Sequence, residues 1–114
     1  MIPQAIVAGN AFILKPSEKT PLSAIRLAIM LEKAGLENGV FNIVNGDCVA
    51  ASAICEHPQI KAIGFIGSTP VAQKIYAQGS QGGKRVLALG GAKNHILLSA
   101  DADPKISVPN IVAS

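Results

Sequence analysis

The chain has no tryptophan, one tyrosine and three phenylalanines in 114 residues, so it lacks the stacking aromatics that nucleic-acid binders interleave with basic side chains. Charge of one sign is also scarce. Ten basic and seven acidic residues leave a net +3, and Lys15, Lys19, Lys61, Lys74, Lys84 and Lys93 are scattered instead of forming a stripe. No nucleic-acid partner is expected. No apolar run approaches the roughly 20 residues needed to cross a bilayer, and the opening Met1-Ile2-Pro3-Gln4-Ala5 lacks the basic and apolar regions of a secretory leader. The expectation is a protein without a membrane partner, in the cytoplasm, or in the mitochondrial matrix for a eukaryotic source. Cysteine is limited to Cys48 and Cys55. Their spacing in one helix puts them about 10 Å apart along its axis, too far for a disulfide. Both read as free thiols near the core, and no Cys and His cluster has metal-ligand spacing, so no metal site is expected.

Apolar residues make up 49% of the chain, enough for a core in one small globular domain. Ala11 to Lys15 reads as a short buried strand stopped by Pro16. Pro21 opens a helix to Ala34 that Gly35 ends. Val40 to Val44 is a second strand, and Asp47 caps a helix over Val49 to Glu56 that Pro58 stops. Lys61 to Ile66 is a third strand and Pro70 to Gln78 a third helix, with Gly79-Ser80-Gln81-Gly82-Gly83 expected as a loop. Lys84 to Leu89 and His95 to Leu98 are apolar runs around a turn at Gly90-Gly91-Ala92-Lys93-Asn94, and Asp103-Pro104 starts a last helix. Alternation of strand and helix at about 20-residue spacing predicts an α/β fold: a Rossmann-like open parallel sheet with helices on both faces.

The segment Lys61 to Gln78 runs an apolar strand through Gly67-Ser68-Thr69 directly into a helix. Gly67 lets the backbone approach a ligand closely, Ser68 or Thr69 can cap the helix, and Pro70 suits its first turn. Free backbone donors and the positive end of the helix dipole then face a site for phosphate. Ligands of open α/β sheets lie at the carboxyl ends of the strands, where three segments would meet: Lys15-Pro16-Ser17-Glu18, Asn45-Gly46-Asp47 and Gly67-Ser68-Thr69. Lys15 can serve ribose or phosphate oxygens and Glu18 can accept from ribose hydroxyls. Taken singly, the two read as a solvated surface pair. Structural roles are expected for both histidines: His57 meeting the last carbonyls of a helix, and His95 opening an apolar run.

These segments, taken in order, resemble the aldehyde dehydrogenase superfamily: Gly9-Asn10, Lys15-Pro16-Ser17-Glu18 with Thr20-Pro21, Phe41-Asn42-Ile43-Val44 with Gly46, Phe65-Ile66-Gly67-Ser68-Thr69 and Gly90-Gly91. Within it, His57-Pro58-Gln59-Ile60-Lys61-Ala62-Ile63, Gly83-Lys84-Arg85-Val86 and Gly91-Ala92-Lys93-Asn94-His95 are most similar to the methylmalonate-semialdehyde dehydrogenase branch. The resemblance covers practically the whole chain. It implies that residues 1–114 are a partial NAD-binding domain of an NAD-dependent, CoA-acylating oxidoreductase that turns malonate or methylmalonate semialdehyde into an acyl-CoA. It further implies that Lys15 and Glu18 hold the adenosine ribose, that Ser68 contacts pyrophosphate, and that Ser17, Gly46, Gly67 and Val71 complete the cofactor site. A carboxylate at Glu18 would repel a 2′-phosphate and tilts the choice from NADP to NAD.

The family's oxyanion-hole asparagine belongs to a Pro-x-Asn-Phe-Pro segment and its nucleophile to a Gly-Gln-Arg-Cys-like segment, neither of which occurs in this sequence. Many relatives carry a glutamate base where this chain has Leu89, although the methylmalonate-semialdehyde branch has asparagine there. Cys48 and Cys55 lie in the wrong segment to replace the nucleophile. The expectation is therefore no catalytic residue in this chain, no dehydrogenase activity from it alone, CoA and semialdehyde as partners only of a full-length parent, and self-association through exposed apolar surface. A stand-alone nucleotide-binding or assembly module is the alternative with the same fold, and a packing domain without ligand a third. The flanking gene sequence separates the first two.

Overall fold

In the computed structural model, which describes residues 1–91 and 96–113, the chain opens with helix α1 (Ile2–Val7). Pro3 fits its first turn, where a missing N–H is not needed, and Gly9 leaves it at φ 76°. This helix has no counterpart in the sequence reading, because six residues are too few for a periodic apolar pattern. Strand β1 (Phe12–Leu14) follows and pairs in parallel with β2 (Phe41–Ile43). Phe12 lies opposite Phe41, and the two rings stack with centroids 6.0 Å apart.

A parallel pair needs a crossover, and α2 (Leu22–Lys33) supplies it, with Pro21 as its N-cap and Gly35 beyond its end at φ 90°. Helix α3 (Cys48–Glu56) starts where the Asp47 side chain accepts the Val49 N–H at 2.9 Å. The second parallel pair is longer. Strand β3 (Ala62–Gly67) and β4 (Arg85–Gly90) run in register from Ala62 opposite Arg85 to Gly67 opposite Gly90, joined by α4 (Thr69–Gln81). A last helix, α5 (Pro104–Ala113), begins after Asp103, whose Oδ1 accepts the Lys105 N–H at 2.8 Å.

The expected alternation of parallel strands and helices is thus present, divided into two strand pairs, β1–β2 and β3–β4. Met1 leans on β3: a Cβ added at Gly64 would lie 2.6 Å from the Met1 sulfur.

The expected loop over Gly79 to Gly83 is mostly helix, since α4 continues to Gln81. Packing explains the difference. Gly79 is buried against the sheet, where an added Cβ would come within 2.7 Å of Val86 Cγ2 and 3.1 Å of Ile63 Cδ1. Close helix–strand contact needs glycine there and compensates for its poor helix propensity. Only Gly82 and Gly83 turn the chain, Gly83 at φ 68°. Of the two apolar runs, Arg85 to Gly90 is strand, whereas Ile96 to Ser99 has no regular structure. Residues 92–95, including His95 and most of the expected turn, lie outside the described residues.

Among the described residues, the buried apolar core consists of Cys55, Ala72 and Ile75. Accessible surface is 8740 Å², where a self-contained protein of 11.7 kDa exposes about 5,900 Å². The radius of gyration is 16.5 Å, against about 13 Å for a compact chain of similar length. Val7, Leu22, Val49, Leu97 and Val112 are among the large apolar side chains left in solvent. Apolar area of this extent is what a second packing surface normally covers.

Candidate functional site

The carboxyl ends of β1 and β2 are joined by one side chain. Lys15 follows β1 directly, and its Nζ donates to the Gly46 carbonyl at 2.6 Å and to the Pro16 carbonyl at 2.8 Å. Glu18 Oε2 lies 3.9 Å from the same ammonium. Lys15 is mostly buried, with 19% of its side chain exposed, whereas Glu18 is 57% exposed. A solvated surface pair would hold neither residue in place. Here two carbonyl oxygens hold Lys15, and Glu18 remains open to a ligand. Ser17 shapes the intervening turn: its hydroxyl accepts the Lys19 N–H at 3.3 Å and its carbonyl accepts the Thr20 N–H at 3.1 Å.

Gly46 stands at φ 152°, and a Cβ there would meet the Ala50 Cβ at 2.6 Å. Asp47 next to it caps α3, so the β2–α3 turn is fixed from both sides of Gly46. Lys15, Ser17, Glu18 and Gly46 therefore form one cluster with a donor and an exposed carboxylate side by side.

The second group gathers where β3 enters α4. Gly67 ends β3, Ser68 is the N-cap of α4 and Pro70 sits in the first turn. The expected side-chain cap from Ser68 or Thr69 is not made. Ser68 has the extended backbone of an N-cap, at φ −67° and ψ 147°, but its hydroxyl leaves the first-turn amides to other acceptors. That suits an anion site better than a closed cap does, because those amides and the helix dipole stay directed outward. Val71, 45% exposed, lies in the same first turn.

Sequence reasoning did not place the end of β4 in this group. A Cβ on Gly90 would lie 2.8 Å from Thr69 Cα, and one on Gly91 would lie 3.4 Å from Thr69 Oγ1. Gly90 thus lets β4 close against the α4 N-terminus. A cleft of about 230 Å³ lined by Thr69, Ala72, Gln73, Tyr76, Ala88 and Gly90 opens beside it. The Gly90-Gly91 pair was the available signal. Among the described residues, no hydrogen bond or ion pair joins the Lys15 cluster to the Ser68 group; each stands at the carboxyl end of its own strand pair.

The histidine and cysteine expectations resolve in part. His57 does not offer its ring to the carbonyls ending α3; its Nδ1 accepts the Gln59 N–H at 3.3 Å. The Lys84 ammonium donates just beyond the helix, to the carbonyls of its C-cap His57 and of Ile60. A primary ammonium with three donors can serve two carbonyls at once. Both cysteines are free, Cys48 exposed and Cys55 buried. Burial pushes the Cys55 thiol above its ordinary value, partly offset by the nearby positive charge of Lys84. The described residues hold no group of three or more His, Cys, Asp and Glu side chains placed to bind a metal ion. Nor is any described helix long and apolar enough to cross a membrane.

Comparison with known proteins places this arrangement. The aldehyde dehydrogenase family model matches residues 1–114. A malonate-semialdehyde dehydrogenase of Bacillus pumilus is 50% identical over 114 residues, all of this chain and 24% of the relative. The crystal structure of a methylmalonate-semialdehyde dehydrogenase from Oceanimonas doudoroffii superposes with a TM-score of 0.79 at 54% identity, over 83% of this chain and 20% of that one. A structure from Sinorhizobium meliloti, assigned as a methylmalonate-semialdehyde dehydrogenase and solved with NAD, gives a TM-score of 0.80 at 47% identity, over 99% of this chain and 23% of that one. The chain thus spans about a quarter of the length of these relatives, and the Rossmann-like α/β class expected from the strand and helix order is theirs. With its full length matched and its strand-end loops in the family's order, this chain belongs to the aldehyde dehydrogenase family.

Proposed function

We propose that this chain is the NAD-holding part of a malonate- or methylmalonate-semialdehyde dehydrogenase, the larger protein oxidising its aldehyde to an acyl-CoA. One observation carries the reading: the Lys15 ammonium is fixed by the Gly46 carbonyl at 2.6 Å with the exposed Glu18 carboxylate beside it. A donor next to an acceptor on a strand-end rim matches the two hydroxyls of a ribose. The uncapped α4 N-terminus behind Gly67 and Ser68 supplies amides for pyrophosphate. Val71 in its first turn gives the cofactor an apolar contact.

Aldehyde oxidation of this kind needs a thiolate to attack the carbonyl, donors for the resulting oxyanion, and the nicotinamide to accept hydride. In this chain Cys55 is buried and its thiolate disfavoured, and Cys48 is the first residue of α3, in a different segment from the β3–α4 turn. Binding and orientation of the cofactor are therefore the roles we assign to its residues, with CoA and semialdehyde bound by the rest of the larger protein. The large exposed surface fits a piece that is covered by the rest of such a subunit and by a second subunit.

Titration of NAD into the protein tests the assignment. Saturable binding that Glu18→Ala weakens about tenfold, with NADP binding less tightly than NAD, is expected; binding unaffected by Glu18→Ala would remove the ribose assignment. Turnover by the 114-residue chain supplied with semialdehyde, NAD and CoA is expected to be nil, and NADH formation would refute the division of labour. The isolated chain is further expected to sediment as dimers or larger species; a monomer at high concentration would argue against the exposed surface as an interface.

A further inference from the structure

Lys15 has three N–H donors, and the structure accounts for two of them, one to the Pro16 carbonyl and one to the Gly46 carbonyl. Pro16 is the next residue, so that contact is local and links no distant segments. The Gly46 contact spans 31 positions and ties the end of β1 to the end of β2. The direction of the Gly46 carbonyl depends in turn on a backbone at φ 152°, which L-residues rarely adopt, and on an absent Cβ that would otherwise collide with Ala50. A carbonyl aimed in this way leaves Lys15 with one remaining donor next to Glu18.

We infer that Gly46 is a positioning residue: its carbonyl orients the Lys15 ammonium so that one N–H and the Glu18 carboxylate together read a vicinal diol. The inference rests on the cofactor reading above and deepens it by assigning Gly46 a role through Lys15 instead of through contact with the cofactor. A diol needs one donor and one acceptor at neighbouring oxygens. A 2′-phosphate needs several donors and no carboxylate. With two of its donors committed to carbonyls, Lys15 cannot turn to such a phosphate without giving up the link between the two strand ends.

The test is a double-mutant cycle in the intact protein, with NAD titrated into the unsubstituted form, Gly46→Ala, Lys15→Met and the combination. Gly46→Ala is expected to weaken NAD about tenfold, the worth of a charge-assisted hydrogen bond, and to add less than about twofold in the Lys15→Met background. A purely structural role would give the same loss in both backgrounds and would overturn the inference. The nitrogen-15 resonance of the Lys15 ammonium in the unsubstituted protein gives a reading that needs no variant to fold. Slow proton exchange relative to the exposed Lys19 is expected, and exchange as fast as that of Lys19 would equally overturn it. If Gly46→Ala does not fold, adding Ala50→Gly removes the Cβ collision while keeping the strained backbone, and the cycle is run with that pair against Ala50→Gly alone. An unsubstituted protein that does not bind NAD would overturn the cofactor reading and this inference with it, whereas NAD binding with additive variants would overturn the inference alone.

Discussion

Between Ala62 and Gly90 the chain closes around α4, which contributes Ala72, Ile75 and Gly79 to the interior. Between Phe12 and Ile43 no residue is buried, and α2 lies over β2 with Ile25, Ile29 and Met30 still partly in solvent. The first region is held by packing on six-residue strands, the second by a three-residue pair, one aromatic stack and the Lys15 tether. On the proposed cofactor reading, the difference separates two tasks. Close packing sets the rigid wall on which a phosphate turn can be built, while the loosely packed strand pair carries the polar groups suited to a ribose. In the larger relatives a chain about four times as long is available to cover the exposed side.

Truncation of matched isoleucines should expose this contrast most strongly. Ile75→Ala, at a buried site, is expected to cost about 3 kcal/mol in chemical unfolding, and Ile29→Ala, 40% exposed, less than about 1 kcal/mol. Equal losses would erase the distinction between the regions. Overpacking comes next: Gly79→Leu would force side-chain atoms into Val86 and Ile63 and is expected to cost about 2 kcal/mol. A neutral result would mean that α4 stands farther from the sheet. Loss of the cap in Asp47→Ala removes the bond to the Val49 N–H and is expected to cost about 1 kcal/mol, read from the same unfolding curves.

The smallest effect concerns the thiols. Cys48 should react with a disulfide reagent well before Cys55, because Cys55 is buried and its thiol is pushed upward chiefly by desolvation. The unfolded chain ionises this thiol at a lower pH than the folded one does. The stabilisation linked to Cys55 is therefore complete below the ordinary thiol value and fades as pH rises through the raised one. Cys55→Ala should flatten that alkaline decline, and an unchanged pH profile would contradict the assignment.

Much of the architecture was legible from residues alone. The Lys15-Pro16 stop, the Asp47 cap, the Gly35 exit and the Asp103-Pro104 start are local signals, set by backbone chemistry within a few positions, and each falls at an element boundary. The Gly79 to Gly83 run misled because glycine frequency suggests a loop, while the reason for Gly79 lies across the sheet at Val86 and Ile63. The same limit applies to His57, whose ring accepts the Gln59 N–H while its own carbonyl is held by Lys84, distant in the chain. Of the site, Lys15, Glu18, Gly67 and Ser68 could be singled out because their types fit the chemistry. The Gly46 carbonyl as a ligand of Lys15 could not, since a main-chain acceptor has no side-chain signature.

The most direct measurement of the central claim is a crystal structure of the protein with NAD bound. The account places the adenosine ribose between Lys15 and Glu18 and the pyrophosphate over the Gly67-Ser68-Thr69 turn, spanning the two strand pairs. Density for NAD that touches only one of these groups, or neither, would contradict it.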